Sequence, residues 1–363
     1  MIRPFSRSSG VIMRPTRSLS LSLFGVFALA VTASSCGDDS SSTPERLVLV
    51  AYDSFTPPEG AFDAFTTATG IEVEIAVGGD AGELVAKAAL TAGNPEGDVL
   101  WGVDNTLLSR ALDAEVFDPY VSKAHPLDAS LVAAGADTVT PVDFGDVCVN
   151  YDIAALESLG LPAPDSFDDL VDPAYSGLLV VPSATSSSPG LTFLLATVAQ
   201  FGDEWPDYWS RLTANDLLVV DGWSDAYYTA FSRYGGDRPL VLSYASSPPA
   251  EVLFADPPLP ADASAPTGVV TSTCFRQVEF AGVLRGTDHV DAARLLVDYL
   301  VSDQFQSLLP ESIFVYPANT ATALPDSFLR YAPEVTSPLV LDSAVIAANR
   351  TAWLETWSEI ALP

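Results

Sequence analysis

The first three apolar segments constrain the fold of this 363-residue chain more than any other feature. Residues 47–51 form a compact apolar run that leads into Tyr52-Asp53-Ser54-Phe55. Residues 60–69 put Phe62 and Phe65 on one side of a helix, and residues 71–77 alternate as a second strand. Strand, helix and strand in that order make a β-α-β unit and imply a parallel sheet. Residues 98–103 add a third strand that ends at Asp104-Asn105. Polar residues thus stand at three strand ends, Tyr52-Asp53, Asp80 and Asp104, the edge where open α/β sheets place their ligands. Gly78-Gly79-Asp80-Ala81-Gly82 lacks both the dinucleotide-loop spacing and the Walker lysine. It reads as a turn before a helix over 83–90, whose first amides are free to meet a ligand.

The N-terminal segment has a different character. Residues 1–35 hold Arg3, Arg7, Arg14 and Arg17 and no acid, with an apolar run at 21–31 and Ala33-Ser34-Ser35 before Cys36. A basic head, an apolar stretch too short to span a bilayer and small residues before a cut describe a secretory signal. The cysteine after them resembles a bacterial lipobox, with Ala33 where leucine is usual. It implies cleavage before Cys36, a lipid on that sulfur and a polar tether over 36–45. Losing four arginines moves the net charge from −31 to −35 (−31 − 4). No basic patch remains for nucleic acid or for an anionic membrane surface. Of three cysteines, Cys148 and Cys274 remain beside the anchor. An isolated pair in an exported chain is more often a disulfide than a reactive thiol, and neither cysteine has the flanking residues of a zinc site.

The rest of the chain continues the α/β pattern. Residues 141–151 are extended and carry the chain into a second lobe, which suits a chain of this length. A strand end at 180–181 runs into Pro182-Ser183-Ala184-Thr185-Ser186-Ser187-Ser188-Pro189-Gly190 and then an apolar helix over 191–200. Hydroxyls gathered at a helix start make either an anion site or a plain cap, and both readings stand. After a strand at 217–220 comes Asp221-Gly222-Trp223-Ser224-Asp225-Ala226-Tyr227-Tyr228, where flat rings beside acids suit a flat, cationic ligand. The same spacing also describes ordinary core aromatics. A short apolar run from Pro239 breaks into Tyr244-Ala245-Ser246-Ser247-Pro248. Beyond a loop at 256–266, a long strand is expected over 275–284, a helix over 288–301, and a terminal helix over 343–362 that buries Trp353 and Trp357. No G-x-S-x-G, H-E-x-x-H or Walker motif is present, and His125 and His289 lack the context of a triad. An enzyme reading would rest on Cys148 as nucleophile with an acid as base.

From residue 47 to 362 the chain resembles the thiamine-binding periplasmic proteins of bacterial ABC importers. The resemblance rests on Tyr-Asp-Ser-Phe at Tyr52, Gly-Val-Asp-Asn at Gly102, Ser-Ser-Pro-Gly-Leu at Ser187, Gly-Trp-Ser-Asp-Ala-Tyr at Gly222, Val-Leu-Ser-Tyr at Val241 and Tyr-Pro at Tyr316. It implies an α/β, type II two-lobed binding-protein fold, each lobe a mostly parallel sheet flanked by helices, with the ligand in the cleft between them. Lobe 1 would comprise 46–142 and the return 285–363, and lobe 2 would comprise 143–284. The resemblance assigns ligand contacts to Asp80, Ala81, Ser187, Ser188, Trp223, Tyr244, Ala245, Ser246 and Ser247. It places Tyr52 and Asp104 facing the cleft. Phe314 stands where the family has tryptophan, keeping a ring and losing the indole donor. The implied role is capture of thiamine, or its mono- or diphosphate, for delivery to an ABC permease by a non-enzymatic monomer without a cofactor or metal, held to the membrane by its lipid alone. Strands entering and leaving lobe 2 run side by side in such proteins, which would bring Cys148 and Cys274 within disulfide reach. Two other readings stay open: a ferric-ion carrier of the same fold, from Tyr227-Tyr228 and the acids, and a thiamine-degrading transferase using a free Cys148.

Overall fold

The computed structural model describes residues 46–134, 137–260 and 262–362. The expected signal (1–35), Cys36 and the tether lie outside the described residues.

The opening unit forms as its pattern dictates: β1 (Arg46–Ala51), α1 (Asp63–Thr69), β2 (Glu72–Val77), α2 (Ala81–Leu90) and β3 (Val99–Asp104), with β1 parallel to both β2 and β3. Helix α1 starts later than the expected 60–69 because Gly60, at φ 77°, turns the chain first. Helix α2 starts earlier than expected, directly after an extended Asp80. The chain continues through α3 (Leu108–Asp113), β4 (Phe117–Asp118), α4 (Ala129–Ala134), β5 (Thr140–Asp152), α5 (Ile153–Leu159), β6 (Leu179–Pro182), α6 (Ser188–Phe201), α7 (Trp205–Ala214) and β7 (Leu218–Val220). A single turn α8 (Trp223–Asp225) runs into a π-helical turn, Ala226–Ala230, before β8 (Leu240–Tyr244), α9 (Pro248–Leu253) and β9 (Thr267–Leu284). The remainder comprises α10 (Val290–Leu300), α11 (Asp303–Gln306), α12 (Leu309–Ser312), β10 (Tyr316–Pro317), α13 (Asp326–Tyr331) and α14 (Ser343–Ala361).

Among the described residues the strands form one mixed sheet in the order β2-β1-β3-β9-β5-β8-β6-β7, with β4 added to β9 and β10 to β5. The pairs on each flank are parallel. The central pair, β5 and β9, is antiparallel, and its register runs from Thr140 opposite Ala281 to Asp152 opposite Thr267. These two strands join the flanks, which are covered by helices such as α10 on β3 and β9 and α6 on β5, β8 and β9. Strand β9 begins eight residues before the expected 275. Its first part, Thr267 to Thr273, contains Gly268 and several hydroxyls, so apolar periodicity does not report a segment held by backbone pairing to β5.

Between Val147 and Val149 the β5–β9 register shifts, and at that irregularity Cys148 is bonded to Cys274. The expected disulfide is present, buried with Ala245. In the terminal helix Trp357 is fully buried, edge-on to Trp209 of α7 at 5.5 Å. Trp353, expected to be buried with it, is only half-buried, packed against the edge of the same core.

Candidate ligand-binding cleft

A cavity of about 620 Å³ opens where both flanks of the sheet present their strand ends and helix starts. Eight of the expected site residues line it: Tyr52, Asp80, Ala81, Ser188, Trp223, Tyr244, Ser247 and Phe314. The other four stand behind the wall. Asp104 is buried and accepts from the amides of Thr106 and Leu107 at 2.8 and 3.0 Å, from the hydroxyl of Ser188 and from the side-chain amide of Gln277. Ser187 lines a different cavity. Ala245 packs on the disulfide, and Ser246 donates its hydroxyl to the Phe314 carbonyl at 2.5 Å.

The aromatic stretch divides by function rather than by sequence. Tyr227 lines the cavity while almost fully buried; its hydroxyl donates to Glu251 at 2.7 Å, and Trp223 stacks on its ring at 4.9 Å and 20°. Trp223 is fixed at both ends: its indole N–H donates to Ser243 at 3.0 Å, and its backbone amide donates to Asp80 at 3.0 Å. Tyr228 and Tyr234, both about half exposed, present their rings to the cavity. The π-helical turn places Trp223, Tyr227 and Tyr228 together; such turns recur at functional sites. Phe314 supplies a further ring, in contact with Phe254 at 5.7 Å. It has φ 57°, a left-handed conformation that costs a non-glycine residue about 1–3 kcal/mol unless its surroundings hold it. The Ser246 hydrogen bond and the rings of Phe254 and Phe328 supply that hold.

Asp80 lies at the junction of α2, α6 and α8. One carboxylate oxygen accepts from the Ser188 amide at 3.1 Å and the other from the Trp223 amide at 3.0 Å. Burial raises its pKa, while these two amides pull it down. The start of α6, open in sequence to an anion reading, is therefore already occupied by a carboxylate of the chain itself. The Ser188 hydroxyl is likewise taken up by Asp104 and Gln277.

Sequence reasoning missed two acids. Glu279 of β9 lines the cavity and lies in register with Asp104 on β3 and Asp143 on β5. It accepts from the Tyr52 hydroxyl at 3.1 Å and from the Trp101 indole at 3.2 Å. Burial, and then the charge of Asp104, pushes its pKa up to about 8. Burial raises Asp143 well above the usual carboxylate range, with Glu279 adding to the effect, and among the described residues its carboxyl oxygens have no hydrogen-bond partner. The signal was an acid set directly between apolar neighbours within a long strand, Val142-Asp143-Phe144 and Val278-Glu279-Phe280, where burial makes an ionised carboxylate costly. Gly102, at φ 106°, makes room for Tyr52: a Cβ there would stand 2.3 Å from the tyrosine ring. Among the described residues the lining contains Asp80, Glu279 and Glu311 and no lysine, arginine or histidine. Among the described residues no group of three or more His, Cys, Asp and Glu is placed to hold a metal ion. Cys148, oxidised and buried, does not line the cleft and has no thiolate to offer, which removes the nucleophile of the transferase reading.

Comparison with known proteins agrees with this architecture. The chain is 29% identical over 317 residues to the thiamine-binding periplasmic protein of Escherichia coli K12, covering 86% of this chain and 92% of that protein. It is 27% identical over 354 residues to the protein of the same name from Brucella abortus, covering 95% and 98%. A solved periplasmic thiamin binding protein superimposes with a TM-score of 0.75 at 27% identity, covering 87% of this chain and 96% of that one. A ferric binding protein from Campylobacter jejuni shares the fold at a TM-score of 0.69 and 17% identity, covering 87% and 99%. The profile of the family described as bacterial extracellular solute-binding protein matches residues 94–347, more than half of the sequence. The sheet, the cleft at its strand ends and this match place the chain in the bacterial extracellular solute-binding protein family.

Proposed function

We propose that this solute-binding protein captures thiamine in the cleft and delivers it to an ABC permease. One observation carries the reading: among the described residues the lining joins the rings of Trp223, Tyr228 and Phe314 to the buried carboxylates of Asp80 and Glu279 and contains no base. Thiamine joins an aminopyrimidine to a permanently cationic thiazolium. Rings stack on its rings, and Asp80 and Glu279 offset its charge and accept from its exocyclic amine. Binding takes place between lobe 1 (46–142 and 285–363) and lobe 2 (143–284). The protein acts as a monomer, without a cofactor or catalysis of its own, tethered through a lipid on Cys36. Among the described residues no helix is long and apolar enough to cross a membrane.

Ferric ion is the weaker alternative. It requires tyrosinates, yet Tyr227 and Tyr234 both donate to Glu251, and burial raises the pKa of each above the ordinary phenol value.

Two tests follow from the acids. Replacing Ser188 with alanine is expected to weaken thiamine, its monophosphate and its diphosphate by similar factors, because the start of α6 holds Asp80 rather than an open phosphate cradle. A calorimetric loss confined to the esters would restore the phosphate site. Glu279, neutral below about pH 8 in the empty cleft, ionises more readily beside a cation. Thiamine affinity is therefore expected to rise as pH is raised towards 8, with proton release on binding. For the empty protein the sign is opposite. The stability that Glu279 contributes is fully present below the unfolded-state carboxylate pKa and is lost as pH rises through about 8. Calorimetry in buffers of different ionisation enthalpy measures the released protons; none released, with affinity independent of pH, would remove Glu279 from charge compensation.

A further inference from the structure

A second cavity, of about 390 Å³, lies behind the start of α6. It is lined by Arg110 of α3 and Arg350 of α14, together with Thr185, Ser187, Ser358 and one acid, Glu355. The chain has 16 lysines and arginines against 47 acids, so two arginines at one cavity are conspicuous. Arg233, Arg276 and Arg285 each hold a carboxylate. Among the described residues Arg110 and Arg350 form no ion pair, and Nη1 of Arg350 is buried without a hydrogen-bond partner. Burial and then the charge of Arg110 lower the Arg350 pKa, against the pull of Asp104 and Asp113. An unpartnered, partly buried guanidinium is costly, and a second one at the same cavity adds repulsion. An oxyanion between them removes both penalties, since guanidinium groups match its geometry with parallel N–H donors and the hydroxyls complete the set.

We infer that this cavity is a site for a phosphoryl oxyanion, separate from the thiamine cleft, with Arg110 and Arg350 as its principal donors. The phosphoryl group comes either from inorganic phosphate or from a phosphate monoester. The test uses the full mature chain, titrated calorimetrically at low ionic strength with inorganic phosphate and separately with glycerol 3-phosphate. Saturable binding at one site is expected. Arg110→Gln and Arg350→Gln should each weaken it at least about tenfold, while Trp223→Ala leaves it unchanged. If Arg350→Gln fails to fold, Arg110→Gln alone carries the comparison. Tighter binding of the monoester identifies an organic phosphate as the occupant, and tighter binding of inorganic phosphate identifies the free ion. The proposal is overturned if neither ligand binds, if folded arginine variants bind like the parent, or if Trp223→Ala abolishes binding and so returns the anion to the main cleft.

Discussion

Replacing Cys148 and Cys274 with alanine is expected to lower the free energy of unfolding by about 5 kcal/mol. The bond closes a loop of 126 residues, and loop-entropy arguments assign about that much to a crosslink of this length. A loss of this size is comparable to a large fraction of the 5–15 kcal/mol that keeps a typical domain folded. It falls at the centre of the molecule, where β5 and β9 join the two flanks of the sheet. Denaturant unfolding of the double variant beside the oxidised parent measures it. Either single alanine variant should lose nearly as much as the double one, because each alone breaks the bond. A shift below about 1 kcal/mol would mean that the unfolded chain gains little freedom when the crosslink is removed. Thiamine binding by the double variant under conditions where it is folded should remain, since neither cysteine lines the cleft.

Trp223→Ala is expected to weaken thiamine binding by about 1–3 kcal/mol, roughly 5- to 150-fold in the dissociation constant. The indole is already set for a ligand: it stacks on Tyr227, and its N–H is fixed on Ser243, so binding orders little that is not already ordered. Alanine keeps the backbone amide that holds Asp80, so the loss reports the ring rather than the carboxylate. Trp223→Phe keeps a ring and loses the Ser243 hydrogen bond, and it should fall between the two. Unchanged affinity in a folded alanine variant would return this residue to the core.

Much of the architecture was legible because it depends on local pattern. The β-α-β opening, the extended entry at 141–151 and the terminal helix each announce themselves by apolar period and by glycine or proline punctuation. The cysteines were legible as an isolated pair in an exported chain, and their place on adjacent strands only through the resemblance. The cleft was legible in its aromatic part, since Trp223, Tyr227 and Tyr228 stand in one short stretch and all three line the cavity, Tyr227 while almost fully buried. Its charge was not. Asp221 and Asp225, adjacent to the rings in sequence, do not line the cavity; the acids that do are Asp80, Glu279 and Glu311, brought in from three other elements. Glu279 meets Asp104 and Asp143 only because β9 lies between β3 and β5, an order that no local pattern reports. The same holds for the start of α6. Its hydroxyls look like a phosphate cradle until the sheet closes and Asp80 arrives from the far flank.

The most direct test of the central claim is a calorimetric titration of the ligand-stripped mature chain with thiamine, run beside one with ferric citrate. A cleft built of rings and carboxylates without a base should bind thiamine saturably at one site per chain and give no ferric complex. A folded chain that shows no saturable binding of thiamine, or that instead develops the visible absorption of tyrosinate bound to iron, would contradict the account.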